Sequence, residues 1–212
     1  MGLSVQVGAL ADLVENDPEG AEWLREGFAA ANKILSEHRL PSHSEPESLP
    51  RLKDRCSLNG YPYSFLHYLR LAYARRNADP TWIAEPLPPG AKPTDDQILK
   101  AEYRRQASHL LTHSDAEGFY LPVDFKDVLF DRGEGVPGEM IGSSFRLLEE
   151  LVVVAPALGI QLHGSELPDQ QAAEINSLLQ ARTGLFIEKI VWLSLFEAAR
   201  LSIEHKAAIV FG

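Results

Sequence analysis

Residues 185–203 read LFIEKIVWLSLFEAARLSI, the most apolar stretch of the chain. It could be a membrane span or the middle of a soluble core, and its charges decide between them. Glu188, Lys189, Glu197 and Arg200 interrupt it, and the uncharged run from Ile190 to Phe196 is far shorter than the roughly 20 residues a bilayer requires. The stretch therefore reads as a core helix, within a longer helical segment over 184–205, and the rest of the fold is to be built around it.

Helical periodicity dominates elsewhere too. A helix is expected over 18–38, where Asp17 can cap and Pro18 suits the first helical position. Trp23, Phe28, Ala31, Ile34 and Leu35 then recur at helical spacing. A shorter helix carrying Val7, Leu10, Leu13 and Val14 precedes it. YSFLHYLRLAYARR at 63–76 is another, and Thr94-Asp95-Asp96-Gln97 has the form of a capping box opening a helix to about Ser108. Gly142-Ser143-Ser144 starts FRLLEELVVVA as a plain N-cap, and Pro156 and Gly159 end it. Residues 167–181 complete the set. Pro-rich stretches at 40–60 and 79–93 read as long loops, and Gly133, Gly135, Pro137 and Gly138 mark another. HLLTHS and GFYLPVDF, on either side of Asp115–Gly118, predict a hairpin near 109–125. The expected fold is mainly α with a small β element (α+β), a single domain over 1–212 with six to seven helices.

Composition narrows the function. The N-terminal MGLSVQVGALADLVENDPEG has no basic region ahead of its apolar residues and does not read as a signal peptide. The one cysteine, Cys56, excludes an internal disulfide, a CxxC pair and a cysteine zinc cage, and agrees with a cytoplasmic home. Net charge is −10, distributed unevenly. Residues 1–60 hold 6 basic and 10 acidic residues, 61–110 hold 7 and 5, and 111–212 hold 7 and 15. Without a basic cluster beyond Arg75-Arg76 and Arg104-Arg105, nucleic acid is not expected as a ligand, nor is a membrane. A basic protein partner fits the charge.

Two constellations could carry chemistry. In T-H-S-D-A-E-G, residues 112–118, His113, Asp115 and Glu117 offer an imidazole and two carboxylates to a divalent ion. The same residues also make an ordinary polar turn, with Gly118 supplying positive φ. In Y-S-F-L-H-Y-L-R, residues 63–70, Tyr63, His67 and Arg70 share one helix face. That stripe could line an anion pocket, or Arg70 could simply pair with Asp115 or Glu117.

Y-P-Y-S-F-L-H-Y-L-R, H-S-D-A-E-G-F-Y-L-P-V-D-F and G-S-S-F-R-L-L-E-E-L followed by A-P-A-L-G-I together resemble a family of small bacterial cytosolic proteins of uncharacterised activity. The resemblance covers most of the chain and brings no functional residue with it. The leading expectation is a non-catalytic interaction protein, immunity-like in kind, that presents an acidic surface from Asp115 to Glu139. Asp115, Glu117, Asp124 and Asp127 would be its contact residues, with Tyr63, His67 and Arg70 beside them, and no cofactor. The alternative is a metal-dependent hydrolase with His113, Asp115 and Glu117 as ligands, His67 as general base and Arg70 as anion clamp. A homo-oligomer formed through an apolar patch is the third expectation.

Overall fold

In the computed structural model, which describes residues 2–58 and 60–212, the stretch that opens the sequence argument lies at the centre. In chain order the elements are β1 (Leu3–Val7), α1 (Ala9–Asn16), α2 (Pro18–Glu37), β2 (Gly60–Tyr61), α3 (Tyr63–Ala78), α4 (Gln97–Arg105), α5 (His109–Thr112), β3 (Gly118–Leu121), β4 (Leu129–Phe130), β5 (Met140–Ser143), α6 (Ser144–Val154), α7 (Asp169–Ala181), α8 (Phe186–His205) and β6 (Ile209–Phe211). Helix α8 is buried from Ile190 to Ala199 because α3, α6, α7 and β1 all contact it. A helix apolar on every side is stable only when so enclosed.

The strands form one mixed sheet in the order β2-β1-β6-β3-β5-β4, in which only β3 and β5 pair in parallel. Successive side chains of a strand point to opposite faces, and the sheet is covered on both. Phe119 and Leu121 of β3 join the core formed with Leu24, Phe28 and Leu35 of α2, while Tyr120 joins the core around α8. The molecule is thus three layers, with α1 and α2 on one face of the sheet and α3, α6, α7 and α8 on the other. The α+β class is as expected, but the β element is larger than the sequence suggests. Val7, expected in a helix, ends a strand, and Gly8 at φ 70° turns the chain into α1. Strand β1 then pairs with β6 near the other end of the chain, Val5 opposite Phe211.

The hairpin near 109–125 does not form. Its first arm is the helical turn α5, and its second is β3, which pairs with β5 and β6. The cause is a distant carboxylate. Glu150 on α6 accepts from the backbone N–H of His109 at 2.9 Å and of Leu110 at 2.6 Å, and the Ser108 hydroxyl accepts from Leu111 N–H. These are the free donors of a helix start, and capping them inside the protein favours a helical turn over a strand. Two other caps also differ from expectation. Asp96, rather than Thr94, caps α4, while Ser143 and Ser144 spend their hydroxyls on the Val123 carbonyl and on Ser202.

Gly142 on β5 lies against the Tyr120 ring, and a Cβ there would sit 2.3 Å from ring carbon Cδ1. That ring is pinned by its hydroxyl, which donates to the His109 carbonyl at 2.9 Å. Gly142→Ala is therefore expected to destabilise the protein by about 1–3 kcal/mol, the usual range for overpacking. Urea unfolding measures it, and an unchanged midpoint would mean that the ring has somewhere else to go.

Candidate functional site

Helix α3 and the stretch from His109 to Glu117 do meet, and they form a network centred on Arg70. The sequence placed Arg70 on a polar face, yet it is only 2% exposed. Its guanidinium donates to the carbonyl of Leu110 at 2.8 Å, to the carbonyl of His113 at 2.6 Å and to the Asp115 carboxylate. Asp115 also faces the His67 imidazole at 3.4 Å, and Tyr103 lies 3.3 Å from the other His67 nitrogen. Tyr103 is a member that sequence reasoning missed. Tyr63 is half-buried against the α8 core, and Glu117 is exposed.

This arrangement does not bring together the metal set. His113 is buried, stacked on Tyr120 at 4.0 Å, with its two ring nitrogens each 3.1 Å from a backbone carbonyl, of Ser114 and of Phe119. A ligand nitrogen must offer a lone pair to the metal, and neither faces an open site. Asp115 is held by Arg70. Among the described residues, no group of three or more His, Cys, Asp or Glu is placed to hold a metal ion. Cys56 is buried, and loss of solvent pushes its thiol up to about 11, so it is a poor nucleophile at neutral pH.

Two other arginines, Arg55 and Arg200, border a cleft of about 830 Å³ beside Leu167, Asp169 and Phe196. Both spend their guanidinium groups on the fully buried Glu197, which makes the pair a brace between the 40–60 loop and α8.

The exposed acidic residues are arranged differently. Residues 9–37, which cover α1 and α2, and residues 115–139 together hold fourteen acidic and four basic residues. The rest of the chain holds sixteen of each. The entire net charge of −10 thus belongs to two segments, and the fold packs them together. Phe28 of α2 stacks near Phe119, a Cβ added at Gly27 would touch Phe119 and Pro137, and Lys33 bridges to Glu134 at 3.0 Å. On α2, Glu19, Glu22 and Glu26 follow each other at helical spacing along the solvent face. On the other segment Asp124 pairs with Arg146, and Asp127 and Glu139 are exposed. Asp131 accepts from the backbone N–H groups of Gly133, Glu134, Gly135 and Val136. Desolvation opposes its ionisation, but those four donors together outweigh it and hold the carboxyl below its ordinary range.

Two titratable groups beside α5, the half-buried Glu150 and the buried His113, have opposite effects on stability. Desolvation, only partly offset by the bonds from Leu110, His109 and Ser108, pushes the Glu150 carboxyl up to about 7 from an ordinary 4.5. Desolvation likewise pushes His113 down to about 4 from 6.5. Folded Glu150 keeps a proton that the unfolded chain has released, so its contribution is full below 4.5 and is lost as pH rises through about 7. Folded His113 refuses a proton that the unfolded chain takes, so its contribution is full above 6.5 and is lost as pH falls through about 4. The two slopes oppose each other between these limits. In Glu150→Gln one slope is gone, and Tm is expected to climb more steeply than in the parent chain from pH 4.5 to 6.5. Parallel Tm curves for the two proteins would show that Glu150 ionises like a surface carboxylate.

No curated protein and no solved structure matches the chain. A family model does, over residues 1–211, and its description reads “Putative DNA-mimic protein”. The match covers almost the full length of the chain. It also corrects the expectation of no nucleic acid among the partners, because the family's description brings DNA in as the thing imitated. The acidic surface and the interaction role agree with that description, whereas the hydrolase alternative finds no support. The chain belongs, over residues 1–211, to the family so described.

Proposed function

We propose that the chain occupies the DNA-contacting surface of a DNA-binding protein, with the outer face of α2 and the 115–139 segment standing in for phosphates. The observation that carries this reading is the segregation of charge, with all the excess negative charge on two segments that adjoin through Phe28–Phe119 and Lys33–Glu134. DNA-binding surfaces are basic because they neutralise phosphates, and the release of counterions from DNA makes that binding steeply salt-dependent. A dense row of carboxylates offers such a surface a comparable target. Glu19 to Glu26 spans about 10 Å at 1.5 Å per residue, roughly three nucleotide steps along one strand. Among the described residues Glu19 and Glu26 pair with no cation, so both remain available. Occupying a partner's working surface is also how an immunity-like protein would act.

The immobilised chain should retain DNA-binding proteins that added DNA elutes. Glu19→Lys/Glu22→Lys/Glu26→Lys should weaken that retention at least about tenfold and flatten its dependence on salt, since each lost contact lowers the salt slope. Reversing Glu166 and Glu174, which lie in the neutral remainder of the chain, should leave it unchanged. Equal effects from the two sets of reversals would point to charge in bulk and would refute a DNA-like face.

A further inference from the structure

Outside the two acidic segments, the Pro-rich loop over 79–93 lies against α3 and the start of α8, and two pockets of about 460 Å³ and about 230 Å³ open between them. Tyr68, Leu87 and Glu188 line both, so the two adjoin as one groove. Helix α3 contributes Tyr68, Leu71, Ala72 and Arg75, at the i, i+3, i+4, i+7 spacing of one helix face. The loop on the other side is tied down. The Ala84 N–H donates to the Ala157 carbonyl at 2.9 Å, and the Arg76 guanidinium donates to the Trp82 carbonyl at 3.2 Å. The walls are therefore fixed by the fold itself, and the space between them is on the scale of a small-molecule site.

Among the described residues three glutamates are buried, Glu102, Glu188 and Glu197. Glu102 has Arg105, and Glu197 has Arg55 and Arg200. Glu188, 7% exposed, pairs with no other described residue, and the one donor near its carboxylate is its own backbone N–H. Desolvation holds its carboxyl above the ordinary range. The field of a helix start favours an acid in the first turn of α8, but it favours an exposed acid as well, so it does not account for the burial. The cation among the lining residues, Arg75, is already taken, donating to Asp96 with its guanidinium 5.9 Å over the Trp82 ring. A buried carboxylate without a partner is costly, and a cation entering the groove would supply that partner. The Tyr68 ring beside it adds the attraction of an aromatic face for positive charge. We infer that the groove binds a small organic ammonium ion, with Glu188 as its counter-ion, Tyr68 beside the charge and Leu71, Ala72 and Leu87 along its alkyl stem. Glu188 and Glu85 together refuse an anion. The site stands independently of the DNA-mimic reading.

Isothermal titration of the full chain with 1,5-diaminopentane tests this, with 1,5-pentanediol and glutarate as five-carbon probes that lack the positive charge. The diamine should bind and raise Tm, and neither of the other two should. Glu188→Gln should weaken diamine binding at least about tenfold, the loss expected of a charge-assisted contact. That substitution removes a buried charge without a partner, so the Tm of the free variant should be no lower than that of the parent and the loss cannot be assigned to unfolding. Tyr68→Leu should weaken binding about threefold. Glu19→Lys/Glu22→Lys/Glu26→Lys should bind the diamine as the parent does. Equal binding of diamine and diol, full binding by Glu188→Gln, or no heat and no Tm shift with millimolar diamine would each overturn the inference. Binding abolished by the triple reversal instead would place the diamine on α2 and overturn it too. A lysine-containing peptide that binds where the diamine does not would give the groove to a side chain of a partner protein and refute a small ligand.

Discussion

The guanidinium of Arg70 donates to three groups on one short segment, the carbonyls of Leu110 and His113 and the carboxylate of Asp115, and it does so from within the core. A charge taken out of water costs several kcal/mol unless its donors are all answered, and here the planar fork of an arginine matches the acceptors in number and direction. The segment it grips is the approach to β3, the strand that joins the two halves of the sheet. Glu150 grips the start of the same segment from α6, by bonds to the backbone of His109 and Leu110. With both ends fixed, β3 starts in register between β5 and β6, and the chain that follows it is brought to α2, where Glu134 meets Lys33. A lysine at position 70 would supply the charge without the fork and leave carbonyls unanswered.

How far the sequence discloses this structure depends on how local each cause is. The long helices were legible, because α2 repeats apolar residues at the helical period and α8 is an apolar run too long for a strand and too charged for a membrane span. Where the deciding partner is distant, the pattern misleads. HLLT looks like a strand until Glu150, some forty residues on, caps it as a helical turn. β1 and β6 each need the other end of the chain to exist as strands, and β6 is too short to announce itself. The sequence left Asp115 or Glu117 as a partner for Arg70, the structure gives Asp115, and its burial depends on α5 closing over it. The acidic site was half legible. The 115–139 segment stands out in any local count, whereas 9–37 is diluted by the arginines and lysines of the loop that follows α2. Only the packing of Phe28 on Phe119 and of Lys33 on Glu134 shows that the two adjoin.

Solubility alone would not require this distribution. A chain of this size is kept apart from its copies by a net charge spread over its surface, and spreading it minimises self-repulsion. Concentrating all the excess in two adjoining segments and balancing the remainder works against stability. The two cations of α2 show how those segments are held. Arg25 reaches Glu47 at 2.7 Å on one flank, and Lys33 reaches Glu134 at 3.0 Å on the other. Each ties a neighbouring loop to the helix, so the cations go to stapling and few of the carboxylates between them are neutralised. Asp131 does the same for its own loop through four backbone donors, fixing the path of the chain while keeping its negative charge. A surface whose sole requirement was hydration would have no need of such fixed geometry. A surface that must present charges at set spacings to a partner does need it, because an ordered array pays its conformational cost on folding rather than on binding.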